Sequence, residues 1–79
     1  MGFAKTEREW AERAARHLKA ELKRADVTYE ELAERLKAHG FAETKASISN
    51  KLSRATVPAS FFLASVAALE LDGIRLEDI

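Results

Sequence analysis

The sequence has no cysteine, one proline and three glycines among its 79 residues. Without cysteine, the fold has neither disulfide bonds nor a cysteine-ligated zinc, so hydrophobic packing, alone or with dimerisation, has to stabilise it. No apolar run approaches the roughly 20 residues that a membrane-spanning helix needs. The charged N-terminus also lacks the apolar segment of a signal peptide. We therefore expect a cytoplasmic protein that makes no contact with a membrane.

The sequence also has no net charge at neutral pH, although its positive and negative residues are unevenly distributed along the chain. The chain has 13 Lys or Arg and 13 Asp or Glu residues, with a charge of +3 over residues 1–54 and −3 over residues 55–79. Neutrality is weak evidence against nonspecific nucleic-acid binding, and any basic surface has to come from the first 54 residues. With 47% hydrophobic and 33% charged residues, the composition is globular. The length suits a single domain, residues 1–79, with one modest core.

A long amphipathic helix is predicted from about residue 6 to 25. Thr6 and Glu9 have the spacing of a capping box, in which each side chain satisfies the backbone N–H of the other residue. An apolar stripe follows at helical spacing and comprises Trp10, Ala14, Leu18, Leu22 and Ala25. We expect Leu18 and Leu22 in the core, and Trp10 either in the core or in a subunit contact.

Residues 28–54 have the pattern of two short helices joined by a turn. Thr28 and Glu31 form a second capping-box pair, and Val27 and Leu32 are spaced as a hydrophobic staple. Gly40 is predicted to end the first of these helices, because glycine readily adopts the left-handed conformation that stops a helix.

The second helix of this pair is predicted to begin after Thr44 and to bury Ile48, Leu52 and Ala55. Residues 44–57 include three basic residues and no acidic one. A helix with a small, polar and cationic outer face can enter the major groove of DNA, where such side chains contact base edges and phosphates. An ordinary solvated face of a helical bundle fits the same spacing, so the spacing alone leaves both readings open.

The chain resembles the Cro/CI-type, lambda-repressor-like helix-turn-helix over roughly residues 27–79. The resemblance is carried by Leu32-Ala33-x-x-Leu36, Gly40, Ile48-Ser49, Pro58 and an apolar helix that ends at Ala68-Leu69. Over nearly its full length the sequence also resembles a small bacterial family known as domain of unknown function 6471. The first resemblance implies a compact all-α bundle of about five helices, in which the helix after Thr44 is the recognition helix. It implies base contacts at Lys45, Ala46, Ser47 and Asn50.

The complete set of predicted DNA-binding residues is Thr44, Lys45, Ala46, Ser47, Asn50, Lys51 and Arg54. Lys51 and Arg54 lie toward the far end of the helix and are better placed for phosphates. The chain also departs from the family pattern. Lys37-Ala38-His39 separate Leu36 from Gly40, and Arg54-Ala55 replace the glycine that usually follows the recognition helix. The longer turn can change the angle at which the recognition helix is presented.

After Pro58, an apolar helix is predicted over about residues 59–71. The residues expected to face the core are Phe62, Leu63, Val66, Ala67 and Leu69. Phe61 points away from Val66 on a helical wheel, so we expect it at another surface, such as a subunit interface with Phe3 and Trp10. Residues 75–79 are predicted to form a short helical turn.

The sequence offers no pattern typical of an enzyme. His17 and Glu21 are one helical turn apart, but no third or fourth metal ligand stands at a motif spacing. There is no nucleophile motif, glycine-rich phosphate loop or carboxylate pair in an apolar setting. We therefore expect no catalysis, metal, cofactor or small-molecule substrate.

Two functions remain. The leading hypothesis is a small bacterial transcriptional regulator that binds double-stranded DNA sequence-specifically as a homodimer, and the acid-free outer face of the second short helix favours it. The alternative is a non-enzymatic protein-interaction module that keeps the helix-turn-helix fold without reading bases. Zero net charge, the long turn and the alanine at position 46 favour the alternative.

Overall fold

The chain folds into four α-helices and two short 3₁₀ helices over residues 2–79, which a computed structural model describes. The α-helices are α1 (Glu7–Ala25), α2 (Tyr29–Leu36), α3 (Lys45–Ser53) and α4 (Ala59–Ala68), and the 3₁₀ helices are Lys37–His39 and Leu76–Asp78. Residues 2–79 contain no strand, so the predicted all-α class is confirmed. In place of about five helices there are four α-helices and two single 3₁₀ turns.

Threonine starts each of the first three α-helices. The Oγ1 atoms of Thr6, Thr28 and Thr44 accept a hydrogen bond from the backbone N–H three residues later, at 3.1, 3.1 and 3.0 Å. These bonds satisfy donors that have no partner inside the helix. The reciprocal bond of a capping box forms at Thr44, whose N–H donates to Ser47 Oγ at 2.8 Å. At Thr28 the side chain of Glu31 instead accepts from Arg35 at 2.7 Å.

Each helical segment up to residue 71 ends in the same way, with one residue in the left-handed conformation. These residues are Asp26, Gly40, Ala55 and Glu70, with φ angles of 57°, 84°, 56° and 59°. The next N–H along the chain then donates to a carbonyl five residues back, as in Thr56 to Lys51 at 2.9 Å. This is the Schellman arrangement, which satisfies free carbonyls at a helix end. At the end of α3, Ala55 therefore adopts the left-handed conformation that a glycine commonly provides at a helix end.

The core lies where α1 and α2 pack on α3 and α4. The largest fully buried apolar side chains are Leu18, Leu32, Leu36, Ile48, Leu52 and Phe61. Leu22, Val66 and Leu69 are also buried, so the predicted core is confirmed at these positions, while Phe62 is only partly buried. Val27 and Leu32 belong to the same buried cluster, as a hydrophobic staple requires.

The predicted orientation of α4 is right for Val66 and Leu69 but wrong for Phe61, Leu63 and Ala67. Phe61 is only 1% exposed and its ring meets the ring of Phe41 edge-on at 6.4 Å, so it is not free for a subunit interface. Leu63, which was expected in the core, is 63% exposed, and Ala67 is exposed as well. Helix α4 is apolar almost all round, so its hydrophobic periodicity does not identify the buried side.

Trp10 lies near the start of α1, outside the main core. It is 37% exposed, and its ring is 6.2 Å from the more exposed ring of Phe3. Within the described part of the chain, no helix combines the length and hydrophobicity needed to cross a membrane.

Candidate nucleic-acid interface

Helix α3 presents a polar surface on the side opposite to its two buried residues, Ile48 and Leu52. Asn50 lies near the centre of this surface, because it is about 180° around the helix from the midpoint between the buried pair. The exposed residues are Ala46, Asn50, Ser53 and Arg54 on this surface, Ser49 at its edge, and Lys45 at the first position of the helix, on the side of Ile48. Four of the six have small or short polar side chains, so the backbone of α3 can approach a ligand closely.

Two of the predicted contact residues are engaged in the start of α3. Thr44 Oγ1 accepts from the N–H of Ser47, and Ser47 Oγ accepts from the N–H of Thr44. Ser47 Oγ also donates to Glu43 Oε1 at 2.6 Å, and its side chain is half-buried. These two hydroxyls therefore serve the cap and have little capacity left for a ligand.

Lys51 is tied to Glu43, a residue absent from the predicted set. Lys51 Nζ donates to both carboxylate oxygens of Glu43, at 2.9 and 3.0 Å, and lies 5.4 Å from the centre of the Phe61 ring. The side chains of Lys51 and Glu43 are only 27% and 11% exposed. The pair neutralises the charge of Lys51 and links the segment before α3 to the last turn of that helix, beside Phe61 of α4.

The environment of Glu43 favours its charged form. Burial on its own would raise the pKa of the Glu43 carboxyl, but the hydrogen bonds from Ser47 and Lys51 and the charge of Lys51 outweigh it and hold the pKa below its usual value of 4.5. Glu43 lies just before the cap of α3, where a negative charge interacts favourably with the helix dipole. This position is the one sequence signal that could have identified Glu43 as part of the site.

Lys45, Asn50 and Arg54 are the exposed side chains of α3 that remain available, because neither the cap nor the Glu43 pair engages them. Lys45 Nζ is 3.9 Å from Glu30 Oε1, but both side chains are largely exposed, so this ion pair is weak. No carboxylate among residues 2–79 forms an ion pair with Arg54. The positive charge of Arg54 therefore projects into solvent beside the end of α3.

The basic surface continues from α3 onto α1. A shallow groove of about 270 Å³ separates the two helices, and its lining includes Arg16 and Lys19 of α1 with Ser53 and Ala55 at the end of α3. Arg16 and Lys19 are exposed. Arg16 is not in the predicted set, because the sequence does not give the angle at which α1 crosses α3.

The described residues contain no group of three or more His, Asp or Glu side chains that could hold a metal ion. The interface is thus built from amide, hydroxyl, ammonium and guanidinium groups. These groups can donate hydrogen bonds to phosphates and to the acceptor atoms of base edges.

A family model described as "Domain of unknown function (DUF6471)" matches residues 10–74, which include α1 to α4 apart from the first turn of α1. No curated protein and no solved structure matches the chain.

Proposed function

The chain belongs to the DUF6471 family, and we propose that it is a small regulator that binds double-stranded DNA. In this proposal α2 and α3 are the two helices of a helix-turn-helix, and α3 enters the major groove. The observation that carries the proposal is the outer face of α3, which is exposed, contains no acidic residue and presents Asn50, Ser53 and Arg54.

The dimensions and chemistry of this face suit the major groove. An α-helix with its side chains is about 10–12 Å in diameter, which the major groove, about 12 Å wide, admits. Asn50, at the centre of the face, can pair with adenine through two hydrogen bonds, and Lys45 can reach the acceptor atoms of guanine. The small side chains of Ala46 and Ser49 allow this approach.

The phosphate contacts in this proposal come from the far end of α3 and from α1. Arg54 is exposed, and Lys19 and Arg16 line the groove beside Ser53. Such contacts orient a protein on the duplex without reading sequence. Ser47 and Lys51 have a different role here: their bonds to Glu43 fix the start of α3 and so position Lys45 and Asn50.

Selection of bound sequences from random duplex DNA by the purified protein is the first test. On the preferred site, Asn50→Ala should cost about 1–3 kcal/mol and relax the choice of sequence, with little change in salt dependence. Arg54→Ala should weaken binding to all sequences alike and reduce the slope of log affinity against log salt by about one unit. As a matched control, Lys23→Gln removes one positive charge from an exposed residue of α1 that does not line the groove beside α3, and it should leave DNA affinity unchanged.

The proposal fails if the wild-type protein binds no duplex more tightly than about 10⁻⁴ M at physiological salt, which is the weak limit of ordinary nonspecific binding. It also fails if Asn50→Ala and Arg54→Ala have the same effect on every sequence. The second result would show that the protein binds DNA only through general electrostatic attraction.

We propose further that the regulator acts as a homodimer, since a two-fold assembly doubles the length of DNA that one small domain can read. The exposed pair of Phe3 and Trp10 is the apolar surface that supports this, whereas Phe61 is excluded by its burial. Sedimentation at high micromolar concentration, with and without DNA, should show a dimer that Trp10→Ala weakens. A monomer under both conditions would refute dimerisation.

A protein-interaction module is the second candidate. The exposed Leu63 on α4 and the neutralisation of Lys51 by Glu43 favour it. Failure of all duplex binding, with Leu63 still exposed on a folded protein, would make this the better proposal.

A further inference from the structure

A second and larger groove lies between α1 and the C-terminal segment Gly73 to Ile79. Its volume is about 740 Å³, within the range of roughly 300–1,000 Å³ that is common for small-molecule sites. One side of the groove is a single stripe of α1, formed by Arg13, Arg16, His17, Ala20, Glu21 and Arg24. These residues recur at three- and four-residue spacing and therefore share one face of the helix. Ala20, in the middle of the stripe, has the smallest side chain of the six.

Positive charge is in excess in this groove. Four arginines line it, three from α1 and Arg75 from the C-terminal segment, against the two carboxylates of Glu21 and Asp78. Arg24 is ion-paired with the almost fully buried Glu21, which anchors its guanidinium group at the wall. Arg75 pairs with Glu77, which is outside the lining. Because a guanidinium group can bind an oxyanion through two parallel hydrogen bonds, several of them around one space favour a multiply charged oxyanion.

We propose that this groove binds a small phosphorylated molecule that carries at least two negative charges. The four guanidinium groups, which outnumber the side-chain carboxylates that line the groove or pair with them, and the volume of the groove together carry this assignment. The site goes beyond the proposed DNA contacts, because Arg13, Arg24 and Arg75 do not line the surface formed by α3. Arg16 lines both grooves, so it is left unchanged in the test below.

His17 is a natural reporter for a ligand in this groove. It is half-buried on the α1 wall, with its ring 6.3 Å from the ring of Phe62. Burial and the charge of Arg24 lower the pKa of His17, while the charge of Asp78 acts in the opposite direction. The other charged groups of the groove are Arg13, Arg16 and Glu21 on α1 and Arg75 on the C-terminal segment. A bound anion stabilises the protonated imidazole, so it should raise the pKa of His17.

Pyrophosphate is a suitable probe. Calorimetry on the full chain at low ionic strength should show saturable binding of one pyrophosphate per chain, and an NMR titration should show the pKa of His17 rising when the site is filled. Arg75→Gln should weaken this binding at least tenfold, because Arg75 lines the groove and its ion pair with Glu77 is exposed. As a matched control, Lys23→Gln removes one charge from an exposed residue of α1 that does not line the groove, and affinity should stay unchanged.

Three results would overturn the assignment. Heats that do not saturate up to millimolar pyrophosphate would exclude a defined site. Equal weakening by Arg75→Gln and Lys23→Gln would show general electrostatic attraction. Saturable binding without a change in the pKa of His17 would locate the site elsewhere. Because Arg75→Gln leaves the surface of α3 intact, failure of this site and failure of DNA binding are separate outcomes. If Arg75→Gln also weakens duplex binding, the groove belongs to the DNA surface.

Discussion

Replacing Ser65 with alanine should stabilise the protein, because the hydroxyl of Ser65 is buried without a hydrogen-bond partner. Ser65 lies in the middle of α4 and is 0% exposed, and its Oγ atom finds no acceptor or donor among residues 2–79. A buried hydroxyl without a partner costs about 1–3 kcal/mol. Alanine is also favoured over serine inside a helix by roughly 0.5 kcal/mol. The loss of one oxygen leaves little empty volume, so the free energy of unfolding should rise by about 1.5–3.5 kcal/mol.

Urea unfolding followed by far-ultraviolet circular dichroism measures this difference. In a domain of this size each kcal/mol also raises the Tm by about 4–8 °C, so a thermal melt gives a second reading. Ala67→Ser is the matched control, since residue 67 is exposed on the same helix. It should lower stability by only about 0.5 kcal/mol, the propensity difference between serine and alanine.

A Ser65→Ala protein that is less stable than the wild type, or within 0.5 kcal/mol of it, would refute this reasoning. Such a result would mean that the hydroxyl finds a partner in solution, for example a buried water molecule or the carbonyl one turn earlier in α4. The control separates this outcome from an error in helix propensity.

Four other predictions concern the core, a helix end, the Glu43 pair and pH. Ile48→Ala should lower the free energy of unfolding by about 2–5 kcal/mol, because Ile48 is completely buried; a change within 0.5 kcal/mol would mean that the assigned buried face of α3 is wrong. Ala55→Gly should raise the Tm, because the left-handed conformation costs an L-residue about 1–2 kcal/mol, more than the 0.4–1 kcal/mol of entropy that glycine adds to the unfolded chain. Glu43→Gln should lower the free energy of unfolding by about 1–3 kcal/mol, because it removes the partner of Lys51. If α3 binds DNA, the same substitution should tighten nonspecific binding, because the charge of Lys51 becomes free. Weaker DNA binding by a folded variant would contradict the second expectation. Burial and Arg24 lower the pKa of His17 in the folded protein, so the unfolded chain binds more protons than the folded one. The free energy of unfolding should therefore decrease as the pH falls below about 6.5 and through the lowered pKa. In a series of urea unfolding midpoints measured against pH, His17→Gln should make this decrease smaller.

Local chemistry made several features predictable. Thr6, Thr28 and Thr44 cap helices because their hydroxyls lie within reach of a free N–H three residues along the chain. The stripes of α1 and α3 are apolar on one side only, so helical spacing identified Leu18, Leu22, Ile48 and Leu52 as buried. The outer face of α3, including Asn50 and Arg54, follows from the same geometry. All of these depend on residues within a few positions of one another.

The left-handed helix ends at Ala55 and Glu70 were harder to predict from the sequence, because alanine and glutamate rarely adopt that conformation. The buried side of α4 was predicted only in part. Val66 and Leu69 are buried as expected, but apolar residues surround this helix, and its packing against α1 and α2 also buries Phe61 and Ser65.

Charge pairing also depended on the tertiary structure. From its position in the sequence, Lys51 was predicted to be available for phosphates. In the structure its ammonium group instead pairs with Glu43, which precedes α3, and lies beside the ring of Phe61 in α4. The groove between α1 and Arg75 likewise joins residues more than 50 positions apart. Helical periodicity assigns residues to the faces of one helix, whereas the packing of several helices determines which faces meet. In this chain, the helices, the buried stripes of α1 and α3 and the polar face of α3 therefore follow from sequence, while the charges that remain free on that face are set by packing.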